Sequence, residues 1–273
     1  MSLALDHVVI AVADLAAAVA DYRALGFTVQ IGGRHPGRTS HNALVVFEDG
    51  AYLELIAWEA PGPAERWYNE HARHGDGYMD FALLPEDTAA VVGAARSRGL
   101  DLAGPVDGGR VRPDGRELRW QTARPSTFDL PFLCGDVSPR DWRVPAGQVR
   151  RHANGVTGIA TVMVAVRDLE ASAARYRALL AEGGGVDGQR VEAPVATPAT
   201  GLHTAAVRLG ASTILLAQPL AEGDPASSSA ARIVRSRLEQ RGEGPCAMTL
   251  ATAGAPRGVV LDLRLAHGAV IET

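Results

Sequence analysis

Cysteine, positive charge and long apolar runs are all scarce in this chain. Its two cysteines, Cys134 and Cys246, lie far apart, so we expect reduced core residues and no disulfide framework. With 27 basic against 31 acidic residues, the chain has no positive excess to neutralise a phosphate backbone, and nucleic acid is not an expected partner. Asp6, His7 and Asp14 interrupt the apolar N-terminal stretch, and no uncharged apolar run reaches about 18 residues. We therefore expect a cytoplasmic protein without a membrane partner.

The common catalytic and nucleotide-binding motifs are missing as well. The glycines at 32–33 and 183–185 match neither a dinucleotide-binding GxGxxG nor a phosphate-binding loop, and we interpret them as turns. His71 and His74 lie in a polar insertion without an HExxH motif, which favours a surface helix. No GxSxG motif marks a nucleophilic serine. What remains is a chain of 273 residues that is 47% hydrophobic, enough for two modest domains or one large one with a real core.

The first 58 residues follow a β-α-β-β-β rhythm. The patterns predict strands at 5–12, 27–31, 41–47 and 51–57. Between the first two strands, apolar residues recur at helical spacing, and Asp14 and Gly26 are suitable caps for the start and end of that helix. The last two strands are joined by a short turn, which predicts a hairpin.

A weaker copy of this rhythm follows at 77–135. It comprises a predicted strand at 78–84, a helix at 86–98 and strands near 117–123 and 128–134. We assign two modules, at about 5–58 and 77–135, to one half of the protein, residues 1–135, and we assign a linker to 136–155.

An internal repeat predicts a second half. LDHVVIAVADL at 5–15 matches IATVMVAVRDL at 159–169, and GAYLELIA at 50–57 matches GASTILLA at 210–217. Residues 156–273 are therefore interpreted as a degenerate and abbreviated half, whose last unit holds a helix and two or three short strands. Paired βαβββ modules make an α+β fold in which curved mixed sheets surround a cleft.

Strand alternation places two polar residues on the concave face of the first module. In 5–12 the β-branched side should pack under the helix, which leaves His7 on the other side. The same argument for 51–57 puts Glu54 on that face, and a histidine with a carboxylate suits a divalent transition metal. A single buried histidine is more often structural, and a neighbouring cation satisfies a buried carboxylate without a metal. The residues alone leave both interpretations open.

These segments resemble a known superfamily. DHVVIAVADL and YLELIA are similar to the first-module signatures of vicinal oxygen chelate proteins, the glyoxalase, bleomycin resistance and extradiol dioxygenase type. GRHPGRTSHNALVVF and RRHANGVTGIA resemble its glyoxalase-like group. The resemblance covers about 5–218 and implies paired βαβββ modules around a U-shaped cleft. In metal-using members, each module of a pair supplies one ligand from its first strand and one from its last, and His7 and Glu54 occupy the first module's two positions.

The other ligand positions depart from that pattern. They fall on Met79 or Asp80 and near Phe132 in the second module, and on Thr161 and Ile214 in the third. None supplies a second pair of histidine and glutamate. Because two protein ligands hold a divalent metal weakly, two expectations stay open. Either His7 and Glu54 bind one Zn²⁺, Mn²⁺, Fe²⁺ or Ni²⁺ ion, or the protein has no metal cofactor.

A polar loop and three aromatic residues complete the candidate site. The loop carries Arg34, His35, Arg38, His41 and Asn42, and its cations and donors suit an anionic or carbonyl-bearing ligand, although a solvated loop is an equal alternative. The candidate ligand-binding residues are Arg38, His41, Asn42, Tyr52, Trp120 and Phe132. Core packing is the alternative role for the last two.

Three functions remain open for a small-molecule-binding protein of this kind. The first is a metal-assisted lyase or isomerase acting on a substrate with vicinal oxygens, with Glu54 and His7 as ligands or as a general base and its partner. The second is metal-free sequestration of a small aromatic or antibiotic-like molecule. The third is an extradiol-type dioxygenase, against which Thr161 and Ile214 argue. The degenerate second half would support the first or form a homodimer interface.

Overall fold

The fold repeats a βαβββ unit, as seen in a computed structural model that describes residues 2–180, 189–220, 228–254 and 258–273. The predicted turn at 183–185 lies outside these residues. The first module consists of β1 (Leu3–Ala11), α1 (Leu15–Ala24), β2 (Gln30–Arg34), β3 (Ser40–Val46) and β4 (Tyr52–Trp58). After helix α2 (Arg66–His74), the second consists of β5 (Gly77–Pro85), α3 (Thr88–Ser97), β6 (Leu102–Val111), β7 (Glu117–Pro125) and β8 (Phe132–Asp136).

These two modules close into one barrel with the strand order β1-β4-β3-β2-β6-β7-β8-β5. β1 pairs with β4 in parallel and with β5 in antiparallel orientation, so the first strands of the two modules lie side by side. On the far side one strand-ladder pair among the described residues joins the two modules, Arg34 of β2 with Val111 of β6. Val8 and Ile10 join the core under the helices, whereas Val9 faces the inside. The predicted α+β class and curved mixed sheets are confirmed, and the cleft of this half is the barrel interior.

The second half forms an open sheet. A short helix, α4 (Arg140–Arg143), and a 3-10 turn at Gln148–Arg150 lead into it. Its elements are β9 (Val156–Ala165), α5 (Leu169–Leu180), β10 (Arg190–Val191), β11 (Val195–Thr197), β12 (Leu202–Leu209), β13 (Ser212–Pro219), α6 (Ser229–Gln240), β14 (Gly244–Thr252) and β15 (Ile271–Glu272). The sheet order is β10-β12-β13-β9-β14-β15, with β11 beside β12. Asp168 bonds to a backbone N–H in the first turn of α5, as its counterpart Asp14 does in α1.

The last unit is smaller than the sequence pattern suggested. We expected a helix within it, but α6 precedes β14 as α2 precedes β5, and β14 pairs with β9 as β5 pairs with β1. Helix α6 is therefore the counterpart of α2, and within the described residues the fourth unit consists of β14 and β15. Ala231, Val234 and Leu238 of α6 pack on Ala165 and Ala217, which lie on the face that corresponds to the barrel interior. The second half thus buries the surface that the first half leaves open as a cavity.

One apolar core runs through both halves. Tyr22 of α1 and Tyr176 of α5 are fully buried in the same cluster. The Tyr22 hydroxyl donates to the Ala266 carbonyl at 3.3 Å, and the Tyr176 hydroxyl donates to the Asp129 carbonyl at 2.8 Å. The second half therefore packs against the outside of the barrel. Among the described helices, none has the length and apolar character needed to cross a membrane.

Two strands differ from the predicted pattern. Strand β2 begins at Gln30 rather than at residue 27, because Phe27 and Val29 turn into the core directly after Gly26, whose φ is 88°. Strand β6 was not predicted, since its sequence LAGPVDGGRV is rich in glycine and contains proline, both depleted in strands. It forms because β7 offers it an antiparallel partner along its length.

Candidate functional site

A cavity of about 470 Å³ occupies the barrel of the first half. His7 enters it from β1 and Glu54 from β4, on the face that strand alternation predicted. The two side chains are only 3% and 8% exposed, and His7 Nε2 lies 3.4 Å from Glu54 Oε2. The two residues therefore converge on one spot in the cavity wall.

His7 is held at both ring nitrogens. Its Nδ1 lies 2.7 Å from Asp6 Oδ2, its Nε2 faces Glu54, and the Tyr52 ring stacks on it with centroids 4.6 Å apart. Burial by itself lowers the pKa of His7, but hydrogen bonds to Asp6 and Glu54 outweigh it and raise that pKa above its usual value. Burial raises the pKa of Glu54, yet His7 lowers it to about 2. The two shifts both favour the imidazolium–carboxylate form of the pair.

Asn42 connects Glu54 to a buried arginine. Its amide nitrogen donates to Glu54 Oε1 at 2.5 Å, and its amide oxygen accepts from Arg110 at 3.0 Å. Arg110 lies on β6, is 3% exposed and also donates to the Arg143 carbonyl at 3.3 Å. Within the described residues, Arg110 Nε has no hydrogen-bond partner. The amide of Asn42 thus aligns a carboxylate and a guanidinium along the cavity wall.

A second histidine approaches Glu54 from the loop after β2. His35 Nε2 is 3.8 Å from Glu54 Oε1, and its Nδ1 is 3.1 Å from the Ser40 hydroxyl. Burial lowers the pKa of His35, and the nearby Arg110 and Arg38 lower it further against the opposing effect of Glu54. The site therefore shifts the pKa values of its two imidazoles in opposite directions, toward the charged form at His7 and toward the neutral form at His35.

Asp6 anchors a second network on the other side of His7. A register shift in β1 just before His7 marks a bulge at Asp6, which turns its carboxylate toward the neighbouring elements. Arg143 of α4 donates to Asp6 at 2.8 Å and to the Tyr52 hydroxyl at 2.7 Å, and Arg140 donates to Asp6 at 2.8 Å. Burial raises the pKa of Asp6, but Arg143 and His7 hold it far below its usual range. The stretch predicted as a linker therefore contributes buried residues to the site.

In the second module, Asp80 and Phe132 are the counterparts of His7 and Glu54. Helices α1 and α3 begin at the same distance after His7 and Asp80, and the parallel pairing of β5 with β8 then matches Phe132 to Glu54. Asp80 Oδ2 accepts a hydrogen bond from Arg124 at 3.2 Å. The Arg124 guanidinium lies 4.2 Å from the centroid of the Phe132 ring, a cation–π contact.

This donor set does not fit a divalent metal. Of the four ligand positions, Phe132 has no donor atom and Asp80 is paired with Arg124. One oxygen of Glu54 already accepts from Asn42. In the part of the chain that the structure describes, no three histidine, cysteine, aspartate or glutamate side chains are arranged to hold a metal ion. Guanidinium groups supply the positive charge here.

The cavity combines positive charge with aromatic walls. Its lining contains five arginines and three carboxylates, although the whole chain has a net charge of −4. Arg38 lies exposed at the mouth, and its side chain forms no hydrogen bond or ion pair among the described residues. Trp67 of α2, Trp120 of β7 and Phe132 of β8 form the aromatic wall. Such a lining favours an anionic ligand with a flat apolar body.

The structure places His41 outside the barrel cavity. Adjacent residues on a strand face opposite sides, and β3 turns Asn42 into the cavity and His41 outward. His41 Nδ1 lies 3.9 Å from Glu59 on the outer surface. The remaining predicted ligand-binding residues, namely Arg38, Asn42, Tyr52, Trp120 and Phe132, all line the cavity.

The alignment of the third module also needs a correction. Thr161 pairs with Thr213 in the register that β1 and β4 use in the first module, so the counterpart of Glu54 is Leu215. Ile214, which we expected there, lies in the core on the helix side of the sheet. The turn before β13 is shorter than the turn before β4, and an offset of one residue moves a side chain to the other face.

Several residues of the site escaped sequence analysis: Asp6, Trp67, Arg110, Arg124 and Arg143. For Asp6 a signal existed, because a carboxylate inside an apolar strand next to a histidine requires a partner. Arg110 was hidden in the glycine-rich β6, and Arg143 in the predicted linker.

The family follows from a sequence comparison. The profile of the glyoxalase-like domain matches residues 5–180, well over half of the chain. The chain belongs to this family. It is thus a member of the vicinal oxygen chelate superfamily, which supports the predicted small-molecule cleft. The comparison with curated proteins gives no match.

Three solved structures agree with the architecture. A hypothetical protein from Staphylococcus aureus superposes with a TM-score of 0.70 at 14% identity, covering 98% of both chains. A mutant of 4-hydroxymandelate synthase from Streptomyces coelicolor has a TM-score of 0.60 at 18% identity, covering 92% of this chain and 71% of that one. A fusion protein of a xylose isomerase-like TIM barrel and 4-hydroxyphenylpyruvate dioxygenase has a TM-score of 0.52 at 16% identity, covering 90% and 36%. At these identities the likeness shows the fold alone.

Proposed function

We propose that this glyoxalase-like protein sequesters a small aromatic anion in the barrel of its first half without a metal ion. The observation that carries the proposal is the charge of the cavity. Arginines outnumber carboxylates in the lining, and a carboxylate or an aromatic ring occupies the ligand positions of the second module. A cleft in which one charge sign predominates, with apolar walls, favours an oppositely charged ligand.

The polar groups are placed to receive the charged end of such a molecule. Arg110 is oriented by Asn42, and its Nε is unpaired, whereas Arg38 at the mouth is free to move toward a ligand. Guanidinium groups bind carboxylate oxygens through charge-assisted hydrogen bonds. The apolar body of the ligand then packs against Trp120 and Phe132, which wall the cavity.

Metal-assisted lyase or isomerase chemistry has less support. With its pKa at about 2, Glu54 is a weak base at neutral pH, and both ring nitrogens of His7 face carboxylates. Extradiol-type dioxygenation also has less support. In the third module, Thr161 and Leu215 occupy the ligand positions and carry no atoms suited to binding iron. The cytoplasmic location and the homodimer remain predictions from the sequence.

The experiment compares benzoate with its neutral isostere benzamide by quenching of tryptophan fluorescence. The wild type should bind benzoate at least about tenfold more tightly than benzamide, because only the carboxylate pairs with the arginines. Arg38→Gln should reduce the difference in binding free energy between benzoate and benzamide by about half or more, because it removes a positive charge at the cavity mouth. The exposed Arg38 side chain is not needed for folding. Arg264→Gln, 84% exposed in the second half, is the matched control and should change nothing. Equal affinity for the two probes would refute the proposal.

A further inference from the structure

A second groove lies where the two halves meet, well apart from the barrel cavity. It has a volume of about 440 Å³ and runs between α6 and the start of β5. One face of α6 lines it with Ser229, Arg232, Ser236, Arg237, Gln240 and Arg241. These residues recur every three or four positions, while the opposite face of α6 packs on the sheet through Ala231, Val234 and Leu238. The polar face of the helix therefore points into the groove.

Two arginines of this groove, Arg237 and Arg241, donate hydrogen bonds to backbone carbonyls. Arg237 donates to the carbonyls of Tyr78 and Glu243, both at 3.1 Å, and Arg241 donates to the carbonyls of residues 74–76. Neither arginine forms an ion pair with a carboxylate in the described ranges, and Arg237 Nε is buried without a partner. Both guanidinium groups are partly withdrawn from water without a carboxylate partner among the described residues, so an anion in the groove would offset this cost.

The one acidic residue among the described groove residues is already engaged. Asp76 Oδ1 lies 2.8 Å from His71 Nε2, and Asp76 Oδ2 lies 2.8 Å from His267 Nδ1. Burial and the neighbouring Arg241 lower the pKa of Arg237 to about 10. Among the described residues, Arg237 and Arg241 therefore have no partner carboxylate in the groove.

We propose that this groove binds an oxyanion, the phosphate or carboxylate group of a small organic molecule. Guanidinium groups from Arg237 and Arg241 and the Ser236 hydroxyl supply donors, and Ile233 and Val270 supply an apolar floor. Because β5 and α6 belong to different halves, a ligand here contacts both and stabilises their association. The inference does not depend on what the barrel binds.

The test is isothermal titration of the full chain with inorganic phosphate in one series and acetate in another, since neither probe carries the aromatic body that the barrel is proposed to bind. A saturable site should appear, and Arg237→Gln and Arg241→Gln should each weaken it by about fivefold or more, the size expected for a lost charge-assisted bond. Ser236→Ala, which leaves the charge intact, should weaken it by a smaller factor. Tighter binding of one probe identifies phosphate or carboxylate as the preferred group.

Two control variants show whether the probes bind in this groove. Arg235→Gln makes the same charge change on α6 outside the groove, where Arg235 donates to the Leu220 carbonyl. Arg38→Gln alters the mouth of the barrel cavity. Both should leave the affinity unchanged. Absence of saturable binding for both probes, an equal loss in Arg235→Gln, or a loss that follows Arg38→Gln alone would overturn the proposal.

Discussion

A Cβ atom on Gly32 would lie only 2.0 Å from Oδ1 of Asn42. It would also lie 2.3 Å from the nearest Arg110 nitrogen. The hydrogen-bonded chain that joins Glu54 to Arg110 therefore passes directly over the backbone of β2 at this glycine. Glycine is needed at position 32 for this close approach. Residues 32–33, which we predicted as a turn, lie within strand β2.

Gly32→Ala should displace Asn42 and Arg110 together. We expect the free energy of unfolding to fall by about 1–3 kcal/mol, the usual cost of overpacking, and benzoate binding in the barrel to weaken. Urea unfolding and fluorescence titration measure the two effects. Gly93→Ala is the control, because nothing lies within 4 Å of its added Cβ, and in helix α3 it should stabilise by about 0.5–1 kcal/mol. Similar losses in both variants would contradict this account of Gly32.

Arg143 should contribute more to stability than Arg140, although both bind Asp6. The Arg143 side chain is 5% exposed, whereas that of Arg140 is 30% exposed. Arg143→Leu leaves buried carboxylates without a counter-charge, and we expect the free energy of unfolding to fall by about 3–5 kcal/mol. Arg140→Leu should cost clearly less, because solvent screens that position. Chemical denaturation measures the free energy of unfolding of both variants. Equal decreases would show that burial does not set the strength of this network.

The stabilising effect of the pair His7 and Glu54 should peak in mildly acidic solution. His7 has a raised pKa, so its contribution is complete below the ordinary value of 6.5 and is lost as the pH rises through the folded value. Glu54 has a lowered pKa, so its contribution is present above the ordinary value of 4.5 and is lost as the pH falls toward about 2. The difference in unfolding free energy between wild type and Glu54→Gln should therefore be largest between these ordinary values. A difference that stays constant with pH would rule out the ion pair.

Both cysteines should resist alkylation in the folded protein. Burial raises the pKa of the Cys134 and Cys246 thiols to about 12, and little thiolate exists at neutral pH. Iodoacetamide at pH 8 should label neither in the native state and both in urea, as mass spectrometry would show. Rapid labelling of Cys134 in the native protein would mean that the barrel opens far more readily than its packing indicates.

Sequence patterns predicted the part of the site that lies on regular strands. Alternation assigned His7 and Glu54 to one face, because a strand with one apolar side fixes where its other side points. It could not find Arg110 or Arg143, since partners far along the chain, and not local preference, decide that β6 is a strand and that α4 packs into the barrel. The error at Ile214 has the same origin, because turn length shifts a register without changing the pattern.

The affinity for benzoate with and without metal tests the central claim most directly. Chelator-treated wild type is titrated before and after equilibration with Zn²⁺, Mn²⁺, Fe²⁺ or Ni²⁺, and bound metal is measured on the same samples. We predict that the benzoate affinity changes by less than about twofold and that no ion is retained at one per chain, because two ligands alone hold a metal weakly. Stoichiometric metal that is lost in His7→Ala and Glu54→Ala, with benzoate binding that requires it, would contradict the account.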